Sequence, residues 1–266
     1  MEIIDGKEIA SEIALVLKSY IDKRGSAPIL GIITGNTTPV TLSYVARKET
    51  FARDIGVRVE HYALPEEGST SDALRLIHEL ASRVDGLLVQ LPLSEGYDTN
   101  LVLGAIPQEK DVDALNPSTR KMGTIQSPVA LAIIEILDSY VPDWQSQKIA
   151  VIGQGWLVGA PLVEALRFQK VAPLLIDKDT DESQKQSILG KADIIISGAG
   201  VPSIVKSDMI REGVVLIDAG TATRRGSVEG DISPECYKKA RLVSATPGGV
   251  GPIAVAKLFE NLLKIT

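Results

Sequence analysis

The polar residues Tyr44, Lys48, Gln90 and Asp113 have types and positions from which a catalytic site could be built. Tyr44 and Lys48 stand four apart in a segment with helical periodicity, so their side chains share one helix face and can point into a common cleft. Gln90 ends an otherwise apolar strand, and Asp113 lies in a long polar loop. A solvated helix face explains the Tyr-x-x-x-Lys spacing about equally well, so this pair alone does not establish a site.

A glycine-rich turn between Gly153 and Gly159 is the second chemically suggestive feature. It reads Gly-Gln-Gly-Trp-Leu-Val-Gly, follows an apolar strand and leads into a helical segment. Glycines let the backbone turn sharply and approach a pyrophosphate, whose charge is stabilised by amides at the helix N-terminus. The spacing is one residue longer than the commonest fingerprint, so the order strand, turn, helix supports the prediction of dinucleotide binding.

Asp177 ends the next predicted strand, where an acidic side chain can accept hydrogen bonds from both hydroxyls of an adenosine ribose. The alternative is a glycine turn followed by an ordinary capping aspartate, and the ordered elements favour nucleotide binding over it. Two further strand ends carry small residues at the edge where such ligands lie. The predicted cofactor-binding residues are Gly153, Gln154, Gly155, Val158, Gly159, Asp177, Lys178, Gly198, Ala199, Gly220 and Thr221.

The first half of the chain alternates helical and strand patterns in β-α-β-α-β order, which predicts a parallel sheet covered by helices on both faces. The predicted helices are Lys7–Lys23, Pro39–Arg53 and Ser71–Arg83, and the predicted strands are Pro28–Thr34, Val57–Leu64 and Gly86–Leu91. Between Glu109 and Ser127 the periodicity fails, as expected of an ordered functional loop or the approach to a domain boundary.

The second half repeats the alternation after the helix Pro128–Tyr140, and its pattern is that of a doubly wound nucleotide-binding fold. The predicted strands are Ile149–Ile152, Pro173–Ile176, Asp193–Ser197 and Val214–Ile217, and the predicted helices are Leu157–Phe168, Glu182–Leu189 and Gly251–Ile265. We therefore expect the α/β class with two α/β domains. The N-terminal domain spans 1–140 and is joined by the C-terminal helix 251–266, and a Rossmann-type domain spans 141–250.

Composition narrows the possible function classes. With 266 residues, 44% of them hydrophobic and 23% charged, the chain can bury a core in one large or two modest domains. A net charge of −6 opposes nonspecific binding to nucleic acid or to an anionic membrane surface. The start of the chain lacks a secretion signal, so a cytoplasmic location is expected. One cysteine and two histidines predict neither a disulfide framework nor a tightly bound metal.

The chain resembles the methylenetetrahydrofolate dehydrogenase/cyclohydrolase family in three ordered motifs. These are Asp-Gly-Leu-Leu-Val-Gln-Leu-Pro-Leu at 85–93, Lys-Asp-Val-Asp at 110–113 and Pro-Gly-Gly-Val-Gly-Pro at 247–252. The resemblance runs from the opening Ile-Ile-Asp-Gly-Lys to the last helix. It implies oxidation of 5,10-methylenetetrahydrofolate by a nicotinamide cofactor and hydrolysis of the methenyl product to 10-formyltetrahydrofolate, in one cleft between two domains. It also implies a homodimer formed largely through the cofactor domains.

Position by position, the resemblance implies that Lys48 is the catalytic lysine, that Gln90 bonds and tunes it, and that Tyr44 shapes the folate site. It implies that Asp113 holds the pterin ring, and that the remaining substrate-binding residues are Val250, Gly251 and Pro252. These roles are physically consistent, because an ammonium desolvated in a cleft has a lowered pKa and can exchange protons near neutral pH. A carboxylate can also accept two parallel hydrogen bonds from the pterin.

The chain departs from the family pattern mainly around the cofactor. The family commonly has Arg-Ser where Gln154 and Gly155 stand, and His-Ser where Asp177 and Lys178 stand. Loss of a guanidinium and gain of a carboxylate both disfavour a 2′-phosphate, whereas the Lys178 ammonium could neutralise one. We therefore predict that NAD is preferred over NADP.

Other functions remain compatible with the sequence. One is a monofunctional NAD-dependent methylenetetrahydrofolate dehydrogenase, which the retained Tyr44, Lys48 and Gln90 argue against. Another is a catalytically silent folate-binding or nucleotide-binding module with an altered cofactor pocket. A shikimate- or amino-acid-dehydrogenase relative is remote, because the motifs at 85–93 and 247–252 do not suit it. The partners expected from the leading interpretation are tetrahydrofolate derivatives and a second copy of the chain, with no nucleic acid and no membrane.

Overall fold

The computed structural model describes residues 1–224 and 227–266, which form two compact α/β units. The three-stranded unit consists of Ser11–Pro128 and Val255–Thr266, and the six-stranded unit consists of Met1–Ala10 and Val129–Ala254. Each unit is named after its main parallel sheet. The predicted domain limits stay a prediction.

The helices and strands lie as follows in chain order. The strands are β1 (Glu2–Ile3), β2 (Ile29–Thr34), β3 (Arg58–Ala63), β4 (Gly86–Gln90), β5 (Ile149–Ile152), β6 (Leu174–Ile176), β7 (Ile194–Ser197), β8 (Val214–Asp218), β9 (Ala222–Arg224), β10 (Ser227–Glu229) and β11 (Ala240–Ser244). The α-helices are α1 (Gly6–Arg24), α2 (Pro39–Ile55), α3 (Thr70–Ala81), α4 (Thr99–Gly104), α5 (Pro117–Met122), α6 (Pro128–Tyr140), α7 (Gly159–Phe168), α8 (Glu182–Leu189) and α9 (Val250–Ile265).

The three-stranded sheet has the parallel order β3-β2-β4 and is buried on both faces by helices. Because side chains alternate along a strand, Leu30 and Ile32 of β2 pack into a cluster with residues of α1, α2 and α9. Ile33 packs on the opposite face with residues of α3 and α4. Burial of each such side chain contributes on the order of 1.5–3 kcal/mol, so the aliphatic pattern accounts for this layer arrangement.

Local capping signals set the limits of the helix that presents Tyr44 and Lys48. Thr38 caps α2 by accepting a hydrogen bond from the Thr41 backbone N–H, and Pro39 occupies the first turn, where its missing N–H is not needed. Gly56 ends the helix with a φ of 89°, a left-handed conformation that glycine adopts without steric cost. The ends of α2 are therefore encoded locally.

The six-stranded sheet has the order β1-β11-β8-β7-β5-β6, and its strands are parallel. The carboxyl ends of parallel strands meet at one edge, so the residues that follow β5, β6, β7 and β8 lie along the same edge of this sheet. A separate antiparallel pair is formed by β9 and β10. The predicted doubly wound α/β architecture is confirmed.

Every predicted helix and strand is present, with limits within two residues of the prediction. The segment Glu109–Ser127, predicted to lack regular structure, contains α5. Asn116 caps this helix by accepting a hydrogen bond from the Ser118 backbone N–H, and Gly123 ends it in the left-handed conformation. No helix in the described part of the chain has the length and apolar character that a membrane crossing needs.

Candidate active site

A lysine from α2 and a glutamine from β4 meet in the three-stranded unit. The Lys48 ammonium donates a hydrogen bond to Gln90 Oε1, with 2.5 Å between Nζ and the oxygen. Gln90 Nε2 in turn donates to the Leu91 carbonyl oxygen at 3.1 Å, which fixes the orientation of the amide. Both side chains are partly buried. The structure thus brings together two predicted site residues that lie 42 positions apart.

The loop that carries Asp113 is held by buried polar contacts. The Asp111 carboxylate, which is fully buried, accepts hydrogen bonds from the backbone N–H groups of Leu115 at 3.2 Å and Asn116 at 2.8 Å. Asn261 of α9 donates to the Val112 carbonyl oxygen at 3.0 Å. These contacts hold the loop backbone on both sides of Asp113. Sequence reasoning missed Asp111 and Asn261, because hydrogen bonds to a loop backbone leave no periodic signal.

Electrostatics couple Lys48 to Asp113. Burial lowers the pKa of Lys48, and the Asp113 carboxylate opposes that shift. Burial raises the pKa of Asp113 to about 7, opposed by the positive charges of Lys48 and Arg120 and increased by the negative charge of Asp111. Burial therefore shifts the pKa of each group toward neutral pH, which is the direction that favours proton exchange during a reaction.

Tyr44 lies one turn before Lys48 on α2 and is partly buried. The Arg47 guanidinium lies over its ring, 5.6 Å from the ring centre, which is a cation–π contact. At the start of the same helix the buried hydroxyl of Thr41, a residue predicted from the sequence to shape the pocket, donates to Asn36 Oδ1 at 2.6 Å. Sequence reasoning missed Asn36. Asn36 Nδ2 also donates to the Pro92 carbonyl oxygen. This contact links the segment after β2 to the segment after β4, beside Gln90.

The glycine turn of the six-stranded unit follows β5 and is tightly packed. Gly153 has a φ of 85°, and an added Cβ there would lie 2.7 Å from the Ala199 Cα. A Cβ on Gly159 would lie 1.8 Å from the Gly153 carbonyl oxygen, and one on Gly198 would lie 2.3 Å from Cγ1 of Val158. At Gly155, by contrast, no atom of the described residues lies within 4 Å of the position that a Cβ would take. The glycines therefore let the turn pass close to the segment after β7 and to the first residue of α7. A backbone cradle for a dinucleotide pyrophosphate requires such a turn at the start of a helix.

Asp177 and Lys178, two of the predicted cofactor-binding residues, directly follow β6. The Asp177 Oδ1 atom accepts hydrogen bonds from the Asp179 backbone N–H and the Thr180 hydroxyl, both at 3.0 Å. The Thr180 hydroxyl is the main cause of a lowered pKa at Asp177, and the Asp177–Lys178 pair is exposed. Asp177 is not a helix cap, since Asp181 caps α8. Gln154 donates to the Gly153 carbonyl oxygen at 3.1 Å.

The other predicted cofactor residues lie at two neighbouring strand ends of the same unit. Gly198 and Ala199 directly follow β7, and Gly220 and Thr221 follow β8. Buried beneath them is Asp231, a residue that sequence reasoning missed because it lies in the short segment after β10 with no distinctive neighbours.

The residues Val250, Gly251 and Pro252 form the first turn of α9 and belong to the six-stranded unit. The turn before them is fixed by the N-terminal segment, since the Gly6 backbone N–H donates to the Gly248 carbonyl oxygen at 3.0 Å. A Cβ on Gly6 would lie 1.9 Å from the Gly249 carbonyl oxygen. This close backbone contact explains why a glycine stands in the opening Ile-Ile-Asp-Gly-Lys motif.

Both halves of the chain match models of one protein family. Residues 4–113 match the catalytic domain of tetrahydrofolate dehydrogenase/cyclohydrolase, and residues 127–266 match its NAD(P)-binding domain. The bifunctional protein FolD of Aquifex aeolicus is 34% identical over an alignment 277 residues long, gaps included, which covers 98% of this chain and 94% of that protein.

Solved structures agree with these matches. The bifunctional enzyme FolD, methylenetetrahydrofolate dehydrogenase/cyclohydrolase, from Campylobacter jejuni has a TM-score of 0.93 and 29% identity, covering 100% of this chain and 98% of that one. The Trypanosoma brucei methylenetetrahydrofolate dehydrogenase-cyclohydrolase, complexed with NADP cofactor and inhibitor, has a TM-score of 0.93 and 26% identity, covering 99% and 96%. The chain therefore belongs to the tetrahydrofolate dehydrogenase/cyclohydrolase family.

Proposed function

We propose that this protein oxidises 5,10-methylenetetrahydrofolate with a nicotinamide nucleotide and hydrolyses the methenyl product to 10-formyltetrahydrofolate. The observation that carries the proposal is the coupled group of Lys48, Gln90 and Asp113 within a chain that matches both domains of the family. The 2.5 Å bond between Lys48 and Gln90 favours the bifunctional enzyme over a monofunctional dehydrogenase, because it keeps the lysine in the arrangement that proton transfer needs.

Lys48 is the proton-transfer group of the hydrolysis. Desolvation lowers its pKa, so the amine can take a proton from the attacking water and return it as the ring opens. Gln90 accepts a hydrogen bond from Lys48 and limits the directions in which the amine points. Tyr44, one turn earlier on the same helix, shapes the folate pocket.

Asp113 orients the substrate. An ionised carboxylate can accept two parallel hydrogen bonds from the pterin, and these charge-assisted bonds penalise a misplaced ring. The pKa of Asp113 is about 7, so donors on the pterin favour its ionised form when the substrate binds. Val250, Gly251 and Pro252 complete the substrate-binding set.

The cofactor is held at the carboxyl edge of the six-stranded sheet. A bound nicotinamide nucleotide supplies the hydride acceptor. The turn from Gly153 through Gly155 and Val158 to Gly159 binds the pyrophosphate, because the absence of side chains permits close backbone approach. Gly198, Ala199, Gly220 and Thr221 contact the rest of the nucleotide from the neighbouring strand ends.

NAD is preferred over NADP. The exposed Asp177 carboxylate stands at the ribose end of the site, and its lowered pKa keeps it charged at neutral pH. It accepts hydrogen bonds from ribose hydroxyls and repels a 2′-phosphate. Gln154 supplies no compensating cation, and Lys178, a single point charge, replaces a planar guanidinium poorly.

The protein acts as a homodimer through the six-stranded unit. Three exposed apolar side chains support this arrangement: Leu174 and Leu175 on the edge strand β6, and Phe168 at the end of α7, with exposed fractions of 41%, 40% and 54%. An edge strand with apolar side chains is a ready surface for pairing with a second chain. A monomer mass in light scattering at micromolar concentration would contradict this. The cytoplasmic location expected from the sequence stays a prediction.

One assay tests the proposed activities. Purified protein is incubated with 5,10-methylenetetrahydrofolate and either NAD or NADP, while the absorbance of the reduced nicotinamide and of the methenyl product is followed. Both products are expected, with the methenyl absorbance then decaying faster than in buffer. Formation of a stable methenyl product would support the monofunctional alternative, and no turnover with either cofactor would support the silent binding module.

A further inference from the structure

Asp231 is a fully buried carboxylate beneath the proposed nucleotide site of the six-stranded unit. Its Oδ2 atom accepts hydrogen bonds from the Ser197 hydroxyl at 2.7 Å, the Ala199 backbone N–H at 2.7 Å and the Gly200 backbone N–H at 3.2 Å. All three donors lie at the end of β7 or directly after it. One carboxylate oxygen therefore determines the backbone course of this strand end.

A second buried carboxylate ties Asp231 to the neighbouring strand. Asp218, the last residue of β8, accepts hydrogen bonds from the backbone N–H groups of Gly220 at 3.1 Å, Asp231 at 3.1 Å and Ile232 at 2.9 Å. A Cβ on Gly220 would lie 2.0 Å from the carboxylate carbon of Asp231, so the segment after β8 packs directly on that group. The two carboxylates thus join the segments 197–200, 218–220 and 230–232.

This arrangement is not the one that stability alone favours. Placing two carboxylates together in the interior carries a desolvation cost, and burial raises the pKa of Asp218 to about 6, with the negative charge of Asp231 adding to the shift. The second oxygen of Asp231, Oδ1, is buried without a hydrogen-bond partner among the described residues. A buried network that only stabilised the fold would satisfy both oxygens.

The bonds to Asp231 also determine which backbone groups face outward. In a trans peptide the carbonyl points opposite to the N–H, so the carbonyls of Gly198 and Ala199 point away from Asp231. The Gly198 oxygen lies on the Gly153 side, 2.9 Å from the position that a Cβ of Gly153 would take. The segment after β7 consequently presents hydrogen-bond acceptors to the glycine turn.

We propose that Asp231 is a positioning residue for the nucleotide cofactor. By holding two amides inward, it keeps the carbonyl oxygens of Gly198 and Ala199 directed away from itself, where they accept hydrogen bonds from hydroxyl or carboxamide N–H groups of the nucleotide. Phosphate groups, which need donors, do not bind this segment. The inference rests on the proposed cofactor site and adds a residue that acts through the backbone.

The test compares Asp231→Asn with wild type and with Asp193→Asn. Asp193 directly precedes β7 in the same unit, and its carboxylate accepts a hydrogen bond from the Lys148 backbone N–H at 2.7 Å, so it controls for loss of a structural aspartate. Binding of reduced nicotinamide nucleotide is measured by its fluorescence, together with KM for the nucleotide, kcat and methenyltetrahydrofolate hydrolysis. In Asp231→Asn the dissociation constant and KM are expected to rise about tenfold, because charge-assisted bonds to both amides are weakened. Hydrolysis, which needs no nucleotide, and kcat stay near wild type, and Asp193→Asn changes only thermal stability.

Two outcomes would overturn the proposal. One is unchanged nucleotide affinity in folded Asp231→Asn, and the other is an equal loss of nucleotide affinity and of hydrolysis, which indicates a purely structural role. If Asp231→Asn does not fold, Ser197→Ala decides, since it keeps both carboxylates but removes the side-chain donor that orients Asp231 Oδ2 toward the two amides. A dissociation constant equal to that of wild type would then reject the proposal. A wild-type protein that binds neither nucleotide would contradict the proposed function itself, and the two failures are thereby distinguishable.

Discussion

Replacing Lys48 by methionine removes the proposed proton-transfer group while keeping a side chain of similar length. The bond from Nζ to Gln90 Oε1 is lost, but Gln90 retains its bond to the Leu91 carbonyl oxygen and so keeps its orientation. We expect the rate of methenyltetrahydrofolate hydrolysis to fall by roughly 100- to 10,000-fold, as is typical when a general acid–base is removed. Hydride transfer should fall less, because that step depends mainly on alignment of the folate and the nicotinamide.

The size of the loss distinguishes proton transfer from simple binding. Loss of one hydrogen bond to a charged group costs about 1.5–3 kcal/mol, which corresponds to roughly a 10- to 150-fold decrease in rate. A larger decrease therefore requires a lost chemical role.

Lys48→Met should also change the pH dependence of folate binding. The Lys48 ammonium opposes the rise in the pKa of Asp113, which is about 7, so its removal raises that pKa further. Because the ionised carboxylate binds the pterin, the folate KM of the variant should be high at neutral pH and should recover only at a higher pH than in wild type.

Both activities should be measured across pH 6–9, with Lys18→Met as the control, since Lys18 is an exposed lysine of the same unit. Hydrolysis is followed by loss of the methenyl absorbance and oxidation by formation of reduced nicotinamide. Hydrolysis at the wild-type rate in Lys48→Met would refute the assignment. Equal losses of both activities, with a lowered melting temperature, would indicate damage to the fold instead.

The other predictions concern substrate and cofactor binding. Asp113→Ala should weaken folate binding by several kcal/mol at most and leave nucleotide affinity nearly unchanged, as measured by titration with each ligand. An equal loss of folate affinity and of nucleotide affinity would indicate misfolding. The double change of Asp177→Ser with Gln154→Arg should shift the ratio of kcat/KM values toward NADP by about 1–3 kcal/mol, and a wild-type enzyme that clearly favours NADP would contradict the prediction. Gly159→Ala should lower the free energy of unfolding by about 1–3 kcal/mol and impair oxidation more than hydrolysis, because its Cβ would clash with the Gly153 carbonyl oxygen. The control Gly155→Ala, whose Cβ meets no atom of the described residues, should change the melting temperature little.

Local sequence signals were sufficient where an element depends on its own residues. The helices α6 and α8 and the strand β5 have the predicted limits, because their apolar periodicity and flanking polar residues mark both ends. The glycine turn was located in the same way, since a strand followed by glycines and a helix is a local pattern. The strands β1 and β11 were not predicted; β1 is the edge strand of the six-stranded sheet, and β11 pairs with β1 on one side and with β8 on the other. A two-residue strand such as Glu2–Ile3 has no periodicity to detect, so only its pairing defines it.

The sequence by itself determined the fold class, the order of the predicted helices and strands, the family motifs and most of the residues proposed for the site. Those properties follow from side-chain patterns and spacings that lie within single segments. Only the tertiary structure decided that Lys48 donates to Gln90, 42 positions away. It also decided that burial, together with the negative charge of Asp111, raises the pKa of Asp113 to about 7 against the opposing charge of Lys48. It also revealed the contact between Asp231 and the end of β7, 31 to 34 positions away. Hydrogen bonds and desolvation depend on distances between side chains that are remote in the chain, and such distances exist only after the sheets have assembled.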